Sequence, residues 1–300
     1  MFLRRELMSN RSSVGSEDSL ASSLNFVRRT ANGLKLSATL HKIRQLFHFA
    51  PWRLGPIYAI QKLRPPLESI DNSRESILGD IDAKLIADEI RQDSVAILGQ
   101  LPADLVSSLR KITDQLPPEE YQLVHQINED VCRLTEDPGI KNILRAYLKS
   151  EPVLLESSLF VSRSGQSPKE HQQNSFHFDY AGWASLNLFV YLTDVNEESS
   201  YHIVAKGSHR DIKITDVLRG SITLAEAENR FGGSIKNITG PAGTIFFENT
   251  EAFHRRHFGS GRRVMLNLLF SSHRSLLSRG RASSKKIAKR NREFQKLDAL

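Results

Sequence analysis

A block of helical periodicity followed by a run of short strands predicts an α+β fold, with the strands arranged as a jelly roll and the helices packed on it. Three observations carry this. Between residues 80 and 149 apolar residues recur at steps of three and four. Past Pro152 that period disappears, and short apolar segments alternate with Gly, Ser and Asn. No apolar run is long enough to span a bilayer, which takes about 18–20 residues, so the apolar segments are read as core.

The elements follow in order. Residues 9–33 are rich in Ser, Asn and Arg and poor in large apolar groups, a composition expected to stay disordered. Leu36, Leu40, Ile43 and Phe47 then recur at steps of four, three and four, with Lys35, Lys42 and Arg44 elsewhere on the wheel. This is a basic amphipathic helix stopped by Pro51. It has two readings: a helix packed on its own domain with a solvated basic face, or a segment, 34–50, lying on a membrane surface or an acidic partner. Pro65 to Gly79 reads as a linker. Asp80 is a candidate cap for a helix reaching Arg91, and Ser94–Leu98 reads as a short buried strand. Pro102 opens a second helix through Leu116. A third starts at Glu119-Glu120 and carries Val124, Ile127, Val131 and Leu134 up to Pro138-Gly139. A fourth runs from about Ile140 to Lys149. Strands are expected at 153–162, 185–193, 201–204, 234–239, 243–248 and 263–270, with a helical insertion at 211–231. The domain reading is therefore 1–66 as a basic N-terminal region, 67–273 as the folded domain and 274–300 as a basic tail.

Charge supports that division. The net +7 is unevenly spread. Residues 20–66 hold eight Lys/Arg and no Asp or Glu, and residues 274–300 hold nine Lys/Arg against Glu293 and Asp298. The central body is acidic, which argues against a core that binds nucleic acid specifically but leaves the basic ends able to touch an acidic surface. The single cysteine, Cys132, precludes an intrachain disulfide and fits a reducing cytoplasm. The N-terminus lacks an apolar h-region, so no signal peptide is expected. The reading is cytoplasmic, with peripheral membrane contact open through residues 34–50.

Chemistry concentrates late in the chain, where seven of the ten histidines fall between 171 and 273. His177 and Asp179 stand two apart, so on a strand they share a face. An imidazole and a carboxylate side by side are two thirds of a two-His-one-carboxylate metal site of the kind that holds non-haem iron. His254 offers the third ligand from a later strand, with His257 as its rival. Arg263 opens the strand after that and can grip a carboxylate through its fork, with Arg262 as its rival. Trp183 walls a substrate pocket or is a core Trp. Asn187, polar in an apolar strand, needs a partner; it faces the ligand that Arg263 would grip or serves as a structural amide. His209 reads as a loop residue. Arg255 and Arg256 meet an anionic substrate or stay solvated, and solvation is the simpler reading.

From Ile81 to His273 the chain resembles the phytanoyl-CoA dioxygenase-like family of Fe(II)/2-oxoglutarate oxygenases. The resemblance rests on the helix–strand–helix around Asp-Ser-Val-Ala-Ile-Leu and Leu-Pro-Ala-Asp-Leu-Val. It continues through His177-Phe-Asp179, Phe-Val-Tyr-Leu-Thr-Asp-Val, Lys206-Gly-Ser-His209 and Gly240-Pro-Ala-Gly-Thr, and ends at His254 and Arg263. It implies a double-stranded β-helix. It also implies His177, Asp179 and His254 as iron ligands, and Arg263 as partner of the distal carboxylate of 2-oxoglutarate. The implied reaction is hydroxylation of a small-molecule substrate of carbohydrate- or lipid-like character, with O2 consumed and succinate and CO2 released. The family usually has Pro where Lys206 stands. Halogenating relatives have Ala or Gly at the carboxylate position, so Asp179 implies oxygen insertion. The competing readings are a cupin-like metal-binding barrel, non-oxidative or sugar-binding, and a scaffold whose basic ends carry its function.

Overall fold

The computed structural model describes residues 75–162 (115, 117 and 119 excepted), 175–180 and 184–272, with isolated positions at 46, 55, 59, 62 and 67. Residues 9–33, the helix expected over 34–50 (Leu46 apart), Trp183 and the 274–300 tail therefore lie outside the described residues. Leu46 apart, the described residues belong to one compact unit, His48–Arg281.

Helix α1 (Ala83–Asp93) is capped by Asp82 rather than Asp80, because it is the Asp82 carboxylate that accepts from the first-turn N–H groups of Lys84 and Leu85. Strand β1 (Val95–Gln100) leads to α2 (Ala103–Thr113), which opens directly after Pro102. The helix expected from Glu119 to Leu134 is broken into β2 (Glu120–Gln122), α3 (Val124–Ile127) and α4 (Glu129–Glu136). Leu123 adopts a left-handed φ of 63°, and Asn128 is extended, its side chain accepting from the Val131 N–H to cap a new helix. Helix α5 (Pro138–Leu148) begins at the proline that reads in sequence as a breaker. Asp137 caps it, and at the first helical position the missing proline N–H has no partner to lose. Asp137 also accepts from Ser76 Oγ and the Ile77 N–H, tying the segment before α1 to α5.

The strands that follow are β3 (Val153–Ser162), β4 (Phe176–His177), β5 (Ser185–Tyr191) and β6 (His202–Ala205). An insertion then forms α6 (Ile214–Arg219), β7 (Ser221–Ile222) and α7 (Leu224–Phe231). The chain continues with β8 (Ile235–Ile238), β9 (Thr244–Glu248), β10 (His254–Arg256) and β11 (Arg263–Ser271). Two antiparallel sheets result, ordered β1-β9-β5-β11-β3-β2 and β7-β4-β10-β6-β8. From β3 onward successive strands cross between the sheets, except at β6 to β8 where the insertion intervenes. This is jelly-roll connectivity in two open sheets.

Alternation in the large sheet separates two environments. Leu186, Leu188, Val190, Phe247, Leu266 and Leu268 join Ile90, Leu105, Leu134, Ile143 and Leu144 in one apolar core, so the helices cover this face. Each such side chain, fully buried, contributes about 1.5–3 kcal/mol, which lets the scaffold carry polar groups elsewhere. The opposite face looks toward the small sheet. Tyr191 Oη donates to the Ile238 carbonyl at 2.9 Å, and the Phe189 and His202 rings lie 5.5 Å apart. Gly243, at the entry to β9, has a φ of 97°, and a Cβ there would meet Val106 Cγ2 at 2.8 Å, so β9 approaches α2 this closely only with glycine. No helix among the described residues is long and apolar enough to cross a membrane.

Candidate metal centre

Strands β4 and β10 pair antiparallel with His177 opposite His254, and this register assembles the site. The two rings lie 4.5 Å apart. Asp179, just past β4, places Oδ2 3.9 Å from His254 Nε2. One ligand atom from each of the three residues lies within 4.8 Å of the others. The backbone N–H of Asp179 donates to the Thr250 carbonyl at 2.7 Å, so the segment entering β10 holds the segment leaving β4.

Both imidazoles are oriented by their own chain. His177 Nδ1 lies 2.8 Å from the Ser175 carbonyl and His254 Nδ1 lies 2.9 Å from the Ala252 carbonyl. A carbonyl only accepts, so each Nδ1 carries the proton and each Nε2 keeps its lone pair for a ligand. Burial, then the neighbouring His177, hold the His254 pKa down to about 4, which keeps its ring neutral at neutral pH. Two neutral imidazoles and one carboxylate are a donor set that suits Fe(II) with positions left open. Adjacent ligands of an octahedral ion sit about 3 Å apart at bond lengths of about 2.1 Å, so small side-chain rotations close the set on an ion.

The depressed His254 pKa also fixes a pH dependence for the metal-free protein. The unfolded chain protonates this group near 6.5 and the folded chain only near 4. The stability is therefore fully present above the unfolded value and is lost as pH falls through the folded one. Urea unfolding of metal-free protein between about pH 7 and about pH 4.5 should show this decline, and His254→Gln should flatten it. Equal slopes in both proteins would place the titration elsewhere.

Arg263, the first residue of β11, is buried on the face toward the small sheet. Its Nη1 donates to the Ser200 carbonyl at 2.6 Å, while its Nε has no hydrogen-bond partner. Burial lowers its pKa to about 10; Tyr191 raises it and Arg256 lowers it, and no carboxylate is among the charges it feels. Among the described residues it is thus a cation buried without an anion. Arg262 is spent elsewhere, donating through Nη2 to the Thr113 carbonyl at the end of α2 and to the Leu116 carbonyl just past it. His257 is stacked on Tyr201 with ring centroids 4.3 Å apart and is not in the ligand cluster. His209 places Nε2 3.1 Å from the Arg91 carbonyl, in keeping with a loop role. Asn187 donates to Asn267 Oδ1 at 2.8 Å and accepts from Thr250 Oγ1 at 3.1 Å. It therefore braces the same Thr250 that holds Asp179. The solvated reading of Arg255 and Arg256 is corrected: Arg256 is buried on the face that β10 shares with His254, and Arg255 is half-buried with its guanidinium 5.3 Å from the Phe176 ring centroid.

Sequence reasoning missed Glu248 and His202. Glu248 ends β9 with no exposure and places Oε2 2.7 Å from His202 Nε2 and Oε1 3.8 Å from His254 Nδ1. The signal available was a charged residue closing an apolar strand, Thr-Ile-Phe-Phe-Glu, where a buried charge needs a reason. A cleft of about 430 Å³ beside α2, lined by Gln100, Val106, Ser107 and Arg110 among others, contains none of these residues.

No family model matches the chain, and no curated protein matches its sequence. Solved structures do. One is the non-haem α-ketoglutarate-dependent epimerase SnoN from nogalamycin biosynthesis, at 16% identity over 63% of this chain and 83% of that one, with a TM-score of 0.50. Others are EctD from S. alaskensis with 2-oxoglutarate and 5-hydroxyectoine (19% identity, 70% and 82% covered, TM-score 0.49) and HygX from Streptomyces hygroscopicus with nickel and 2-oxoglutarate bound (16%, 67% and 92%, 0.49). At these identities the likeness to SnoN is one of fold.

Proposed function

We propose that this chain is an Fe(II)- and 2-oxoglutarate-dependent oxygenase of the phytanoyl-CoA dioxygenase-like kind, hydroxylating a small-molecule substrate of carbohydrate- or lipid-like character. The observation that carries the reading is the convergence of His177, Asp179 and His254 in a fold that also buries Arg263 without a carboxylate partner. Iron(II) and 2-oxoglutarate, when bound, supply the conversion of a C–H bond to C–OH, with O2 and 2-oxoglutarate leaving as the hydroxyl oxygen, succinate and CO2.

The chain's own residues do the rest. His177 and His254 present Nε2 to the ion because their Nδ1–H groups are tied to backbone carbonyls. Asp179 adds the carboxylate and is positioned by Thr250, which Asn187 and Asn267 brace in turn. Arg263 holds the distal carboxylate of the cosubstrate; the buried Phe189 and Phe246 side chains keep water from that interior. Trp183, four residues past Asp179 in the sequence, is proposed as a substrate contact.

A non-oxidative metal-binding barrel would use the same three ligands but has no role for Arg263. The test is anaerobic titration of the Fe(II)-loaded protein with 2-oxoglutarate, followed by succinate release on admitting O2 with a panel of candidate substrates. Stoichiometric 2-oxoglutarate binding and O2-dependent succinate are expected. Metal binding without 2-oxoglutarate binding would hand the protein to the non-oxidative reading.

A further inference from the structure

We propose that Glu248 and His202 are positioning residues of the metal centre, backing the His254 ligand at its non-ligating ring nitrogen and strengthening it as a metal donor. This rests on the metal-centre reading above.

Three strands bring the groups together. His254 on β10 pairs with Val204 on β6, and Arg256 pairs with His202, so His202 comes from the strand beside the ligand. The His202 and His254 rings are stacked, with centroids 5.3 Å apart and planes 18° from parallel. Glu248 reaches in from the other sheet. Its side chain has no exposure, and neither carboxylate oxygen has a hydrogen-bond partner. Glu248 Oε2 approaches His202 Nε2 to 2.7 Å, outside hydrogen-bond direction.

A carboxylate with no hydrogen bonds is unfavourable in such a place unless its charge is used or offset. Here the charge sits 3.8 Å from His254 Nδ1, while Nε2 of the same ring faces Asp179 at 3.9 Å. A negative charge beside the Nδ1–H pushes electron density toward Nε2, the effect that carboxylates behind metal-bound histidines supply. The stacked His202 ring lies against the ligand ring and in contact with Glu248. A direct role for Glu248 in cosubstrate binding is the competing use, and the two uses differ in what each variant changes.

The experiment uses full-length protein, with Glu248→Gln and His202→Phe as variants. The second keeps an aromatic ring beside His254 but removes the contact to Glu248. Co(II) is titrated against a competing chelator, the visible absorption of the Co(II) form is recorded, and 2-oxoglutarate affinity is measured separately. Glu248→Gln should weaken Co(II) by about 10- to 100-fold, the range for loss of such a supporting group, and shift the visible bands. His202→Phe should act in the same direction and less strongly. Unchanged Co(II) affinity and spectrum in Glu248→Gln overturns the inference, as does the same result in His202→Phe if the first variant does not fold. Weaker 2-oxoglutarate binding with intact Co(II) binding also overturns it, by assigning Glu248 to cosubstrate binding rather than to the metal ligand. Wild-type protein that binds no Co(II) overturns the metal-centre reading and this inference with it; wild-type binding with unchanged variants overturns this inference alone.

Discussion

His254→Ala is expected to abolish tight divalent-metal binding, while His257→Ala leaves it near normal. Loss of a group that merely supports a ligand weakens a metal by about 10- to 100-fold, and loss of one ligand in three should exceed that range. His254 is buried with Nε2 toward Asp179, whereas His257 is held against Tyr201 by ring stacking and by its backbone N–H donating to the Tyr201 carbonyl. Fe(II) or Co(II) titration of both variants decides the matter. The reverse result would move the third ligand to His257 and require β10 to present its other face to the site.

Arg263→Ala should weaken 2-oxoglutarate by at least about tenfold and leave metal affinity little changed. The guanidinium is buried, burial lowers its pKa to about 10, and its Nε has no partner. An arriving carboxylate would relieve that state. Hydrogen bonds to charged groups contribute about 1.5–3 kcal/mol, and about 1.4 kcal/mol is one decade in affinity. Pyruvate lacks the distal carboxylate and should lose much less. Equal weakening of both oxo acids, or a larger effect from Arg262→Ala, would remove the clamp assignment and with it the chief argument against a non-oxidative barrel.

Much of the fold was legible because it depends on local pattern. The expected strand at 153–162 matches β3, and the one at 263–270 matches β11 to within a residue, since each is a segment rich in Val, Leu and Phe without helical periodicity. The candidate ligand set was read from sequence for a chemical reason: few residue types bind iron, and H-x-D on a strand would put two of them on one face; in the structure Asp179 lies just past β4 and still comes near His254. The break at Leu123 and Asn128 was hidden because the apolar spacing of Val124, Ile127, Val131 and Leu134 runs unbroken across it. Strand β4 is two residues long, too short for any alternation to show. Glu248 and His202 meet only because two sheets face each other, and nothing within either segment announces the other.

The pairing of His177 with His254 has a consequence for when the protein acquires its reactivity. The H-x-D segment and the third ligand are far apart in the chain, and β4 is held on one side by β10 and on the other by β7. During synthesis His177 and Asp179 emerge long before His254, so the growing chain carries only an incomplete chelate. The full pincer closes only when β10 slots between β4 and β6. An ion captured then fastens distant stretches of backbone and stabilises the native state by mass action. On the proposed function, a chain without β10 in place would lack the third ligand and so hold such an ion only weakly.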